Sequence, residues 1–175
     1  MIQKLRVKFI TASMLSLALV LLVILGGVNA MSYQKVVRDA DRILALLSEN
    51  RGVFPQQTPP DDRGGKPGPI PVLGHGISPE TPFESRFFSV LLNEKGQVLQ
   101  SDTGQIAAVD DQSAGEMAQA VWSSGNASGF QGDYRYIRAA EAEGTRFIFV
   151  DCGRSLSNFR TTLIASVLVA LAGLL

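Results

Sequence analysis

Two uncharged apolar runs, Phe9 to Val28 and Thr161 to Leu175, enclose a polar middle. Nothing else in the chain constrains its fold as strongly, because such runs must be withdrawn from water. Phe9 to Val28 contains twelve Leu, Ile, Val and Phe residues and no charge. Each contributes about 0.3 to 0.6 kcal/mol on entering a bilayer, and twenty helical residues span about 30 Å, the thickness of the hydrocarbon core. The expected elements are a short tail over 1–8 and a transmembrane helix over 9–30. Val28, Asn29 and Ala30 also loosely resemble a signal-peptide cleavage site behind a basic amino end. The apolar stretches of signal peptides run only about 7 to 15 residues, so the longer run here favours an uncleaved anchor. Lys4, Arg6 and Lys8 then hold the tail in the cytoplasm and leave the middle of the chain outside.

The second run, over 161–175, covers about 22 Å at the helical rise, short of the same core. Its only polar side chains are Thr and Ser, so it lacks the polar face of a soluble helix. It reads as an incomplete second span that enters from outside at Arg160, in a chain cut off within an element. The localisation expected is a multi-pass protein of the cell membrane with its central domain extracytoplasmic, and the lipid bilayer is its first partner.

The region between the spans, 31–160, is one domain's worth of chain. All sixteen acidic residues lie between Asp39 and Asp151, against thirteen basic ones outside the tail, about three net negative charges. No nucleic-acid partner is implied. Cys152 is the one cysteine, so no intrachain disulfide forms. It closes the run Phe147 to Val150 and reads as a small buried residue on a strand, with pairing across a dimer as the alternative.

Within this region, apolar residues at Val36, Ala40, Ile43, Leu44 and Leu47 mark one face of a helix over 31–50. That face can pack on its own domain or on the same helix of a second chain. Residues 52–82 hold all eight prolines and read as a long extended loop. His75, the single histidine, lies there with no second ligand for a metal. An α+β core follows over 86–156. Phe87 to Leu92 and Val98 to Ser101 form a hairpin about Asn93 to Gly96. Ser113 and Glu116 have the form of a capping box, opening a helix with Met117, Val121 and Trp122 on its apolar face and its end near Gly125. Gly129 to Ala139 and Thr145 to Cys152 form a second hairpin about Glu141 to Gly144. Hairpins require an antiparallel sheet, and the outline is a small PAS-like or Cache-like sensor domain between two membrane helices.

The stretches Ile77 to Val90, Asp102 to Val109 and Phe147 to Leu156, the last leading into the second span, resemble the extracytoplasmic input regions of Gram-positive-type sensor histidine kinases. The likeness covers nearly the whole chain, with two departures: an unusually long Pro/Gly-rich loop, and Gly153 at a position where a hydroxyl residue is expected. It implies a homodimeric two-component receptor that senses an external stimulus and passes it through the second span to cytoplasmic domains lying beyond this fragment. Those domains carry an ATP- and Mg-dependent protein-histidine kinase that acts on a response regulator. No catalytic residue, cofactor site or metal site carries over to this chain. Two other classes share the layout: the input of a chemotaxis transducer or cyclic-dinucleotide enzyme, and a membrane-anchored extracytoplasmic binding protein without enzymatic output.

For the unknown ligand, the period of two places Tyr134, Tyr136 and Arg138 on one face of a strand, and Asp133 and Arg135 on the other. Aromatics beside an Arg suit an anion or a small polar molecule, and a half-buried sheet surface explains them equally. Asp151, an acid within a buried run, needs a partner such as Arg154 or Arg135. Cys152, Gly153 and Arg154 form the exit through which a signal reaches the second span.

Overall fold

The computed structural model describes residues 2–55, 78 and 80–174. His75 and most of the Pro/Gly-rich segment lie outside the described residues. The chain divides into two units, Arg38–Cys152 and the pair of segments Met1–Val37 and Gly153–Leu175.

The second of these is helical. Helix α1 runs without a break over Ile2–Glu49, so the expected span and the expected amphipathic helix are one element. Helix α4 occupies Gly153–Leu174, starting eight residues before the apolar run. Its 22 residues reach about 33 Å rather than 22 Å. Both helices are long and apolar enough to cross a membrane, and 0% and 6% of their apolar windows are buried. A core helix of a soluble protein would be covered. On α4 the Thr161, Thr162 and Ser166 hydroxyls each donate to the carbonyl four residues back, at 2.8 to 3.0 Å. Thr11 and the Asn29 amide do the same on α1. The helices meet at Tyr33 and Phe159, whose ring centroids are 5.7 Å apart, and leave an apolar groove of about 500 Å³ between Leu21 and Leu25 of one and Val167 and Ala170 of the other.

The unit Arg38–Cys152 is α+β. Its five strands, β1 (Phe87–Leu92), β2 (Val98–Asp102), β3 (Ser128–Gln131), β4 (Tyr134–Glu141) and β5 (Gly144–Asp151), form one antiparallel sheet ordered β2-β1-β5-β4-β3. β1 and β5 are central, and packed layers cover both of their faces, which is why FFSVLL, broken only by Ser89, and FIFV read as apolar runs. On one face the last turns of α1 bury Leu44 and Leu47 against Phe87, Ile148 and Val150. The amphipathic stripe therefore serves its own sheet. On the other face α3 (Asp111–Ser124) and the loop before it bury Val109, Ala114, Ala118 and Val121 against Phe88, Val90, Phe147 and Phe149. Phe88 and Phe149 stack at 4.6 Å. Gly115 lets α3 approach closely, since a Cβ there would stand 3.1 Å from Val98 Cγ2.

Two local expectations are corrected. The cap of α3 is Asp110, whose carboxylate accepts from the Ser113 amide at 2.7 Å, so the cap lies three residues before the expected one. An Asx residue two or three positions ahead of Ser offers the same acceptor and closes the turn sooner. The stretch Gly129 to Ala139 is two strands, because Gly132 takes a φ of 62° and begins a two-residue hairpin loop. Glycine at the first loop position reverses the chain without steric cost, and the apolar-polar alternation continues through it unaltered.

Candidate functional site

The expected ligand residues share one sheet face, the one that α3 covers over β1 and β2. Tyr136 is core rather than lining: it is buried, its ring lies against Gly129 of β3 and is 5.8 Å from that of Phe149. Tyr134 is half-buried, edge-on to Phe88 at 5.5 Å. Arg138 is exposed, with its guanidinium 6.0 Å from the Phe147 ring centroid. Asp151 pairs in register with Tyr134 and lies 3.5 Å from Arg86 Nε. Arg135, offered at the sequence level as its partner, faces the other way and binds Asp41 of α1 at 2.8 Å. Burial, reinforced by the Asp151 carboxylate, raises the Tyr134 phenol above its ordinary pKa. The face thus brings Tyr134, Asp151 and Arg86 together at one end and leaves Arg138 apart, and neither described cavity of the Arg38–Cys152 unit is lined by any of the four expected residues.

At the exit, Cys152 is buried and free, one residue beyond β5. Its amide donates to Asp133 O at 2.9 Å. Burial raises its thiol pKa, which disfavours the reactive thiolate. Gly153 opens α4, and Arg154 is exposed in its first turn.

The sheet's opposite face carries an open cavity of about 570 Å³ at the β1–β2 edge. The segment after α1 supplies Gly52 to Pro55, and the short helix α2 (Thr81–Glu84) supplies Pro82 and Phe83. Phe87 and Asp102, on neighbouring strands, and Gly104 and Gln105 complete it. Phe54 and Phe87 meet edge to face at 5.3 Å and 81°. Sequence reasoning passed over these residues. Their signal was the pair of aromatic-proline dipeptides, Phe54-Pro55 and Pro82-Phe83, at the two ends of the Pro/Gly-rich segment.

Deeper on this face a polar cluster is fully engaged. Arg146 is buried and grips both Glu141 oxygens at 2.6 and 3.2 Å, with its third donor on Ser89 Oγ at 3.3 Å. Among the described residues no group of three His, Cys, Asp or Glu side chains is placed to hold a metal ion. No protein-family model, curated protein or solved structure matches the chain.

Proposed function

We propose that the chain is the membrane-bound input region of a two-component sensor histidine kinase, with the α+β unit outside the cell as a PAS-like or Cache-like sensor. One observation carries the reading: a folded α+β unit continues at both ends into helices whose apolar windows are almost entirely uncovered among the described residues. The inward-satisfied hydroxyls of α4 support it, because a bilayer offers no hydrogen-bond partner. The resemblance of Phe147 to Leu156 supplies the kinase output. In this reading a stimulus that binds two sensor conformations unequally shifts their populations. Cys152, Gly153 and Arg154 pass the change into α4 as a slide or rotation, for which a differential binding of about 1 to 3 kcal/mol is enough. The active form is a homodimer, the ATP site belongs to the parent protein's kinase domain, and that domain acts on a separate response regulator.

Topology is the first test. Alkaline phosphatase, which is active only outside the cytoplasm, is expected to be active when fused after Asp102 and inactive when fused before Lys4, and the reverse pattern overturns the reading. Within the parent protein, two glycines inserted after Gly153 are expected to uncouple stimulus from kinase activity. Unchanged signalling would remove α4 as the transmitting element.

A further inference from the structure

We propose that the cavity at the β1–β2 edge is a binding site for a small organic cation. Asp102 is the one charged residue among its lining residues, and it forms no ion pair among the described residues. The Gly104 amide donates to its Oδ1 at 3.2 Å and so fixes the carboxylate at the rim. Three phenylalanines provide the walls: Phe87 is buried in the floor, Phe54 stands edge-on to it, and Phe83 is 82% exposed on a four-residue helix. Ring faces carry negative quadrupole potential, so an ammonium group held among them is attracted while an anion is repelled. Pro55 and Pro82 add apolar surface without a backbone donor.

Size and ligand count select within the class of cations. A volume of about 570 Å³ lies in the range of small-molecule pockets, far larger than a bare ion requires. A divalent metal requires several oxygen ligands, and the lining offers one carboxylate. An alkylated or aliphatic amine meets both demands, with its charge against Asp102 and its carbon against the rings. The other described hollows lack this combination. The groove between α1 and α4 is apolar throughout, and the hollow between Asn93 to Gln97 and Glu141 to Thr145 has no aromatic wall.

As the input site of a receptor this assignment rests on the function proposed above. As a binding site it stands independently, and calorimetry reads it without any signalling output, so either can fail alone. The full chain in lipid nanodiscs is titrated with choline, tetramethylammonium and agmatine. At least one is expected to bind saturably with a Kd of about 1 mM or tighter. For choline, the uncharged isostere 3,3-dimethylbutan-1-ol is expected to bind at least about tenfold more weakly, as is the bound cation to Asp102→Asn and to Phe83→Ala. Phe83 is exposed, so its variant keeps the fold and decides the matter if Asp102→Asn alters the Trp122 emission. No saturable binding by any of the three cations, or equal binding by both variants, overturns the proposal.

Discussion

Arg135 Nε on β4 donates to Asp41 Oδ1 on α1 at 2.8 Å, joining residues 94 apart in the chain. The guanidinium also lies 5.0 Å from the Phe130 ring centroid, so one side chain ties α1, β4 and β3 together. The Asp41 side chain is 46% exposed against 16% for Arg135, so solvent screens the pair. Asp41→Asn is therefore expected to cost only about 0.5 to 1 kcal/mol at low salt, and less at 1 M NaCl. Trp122, the one tryptophan, packs on the α3-side core and reports unfolding of this unit alone. Urea titration of the full chain in detergent micelles, followed by its emission, checks the value. A midpoint equally lowered at both salt concentrations would mean that packing, not charge, holds this corner.

The Arg146–Glu141 pair is a different case, since Arg146 is buried and its donors reach both carboxylate oxygens and Ser89. Removing the acid alone leaves a buried cation without its counter-charge. Glu141→Ala is expected to cost about 3 kcal/mol or more, whereas Arg146→Met, which removes the charge and keeps the volume, costs clearly less. The same urea titration ranks them. Equal costs would show that Arg146 gains enough water to do without its partner.

Burial was legible in the sequence where apolar residues ran together or recurred at helical spacing. The Phe147 to Val150 and Phe87 to Leu92 runs marked strands, which the sheet places at its centre with both faces covered, and the helical stripe through Ala40, Leu44 and Leu47 matched the face that packs. The break at Gly132 was hidden, because a two-residue turn preserves alternation on each side of it. The polar partners were illegible as well. Arg135, Arg146 and Arg86 look alike in sequence, and their partners, Asp41, Glu141 and Asp151, follow from sheet faces and register rather than from spacing. The cavity was missed for the same reason: its walls come from segments on either side of the Pro/Gly-rich stretch, and only the folded sheet edge brings them together.

Gly144 and Gly132 both sit at hairpin loops, yet their substitutions are expected to differ. A Cβ at Gly144 would run into the Leu92 carbonyl of the neighbouring strand, which cannot move without breaking the β1–β5 pairing. At Gly132 a Cβ meets open space, and only the φ of 62° is strained. Gly132→Ala is expected to cost about 1 kcal/mol and Gly144→Ala about 2 to 4 kcal/mol. Trp122-monitored melts of the two variants compare them directly. Similar losses would mean that β5 slides away from Leu92 at little cost.

Cys152 provides a pH-dependent test of the exit segment. Burial raises its thiol pKa, and the nearby Asp151 carboxylate adds to the effect, while hydrogen bonding and charge from Arg135 oppose it. A group whose folded pKa is raised contributes its stability in full below the unfolded value, about 8.5, and loses it as pH climbs through the folded value. Wild type is therefore expected to lose more stability than Cys152→Ala above about pH 9, and the two run parallel below about pH 8. Tyr134, also raised, titrates in both proteins and cancels from the comparison. Native alkylation by N-ethylmaleimide at pH 7.5 is expected to be slow, accelerating sharply in urea as the thiol is uncovered. Fast native labelling would show that the chain opens between β5 and α4 on the timescale of the reaction, and the exit could not then act as a stiff transmitter.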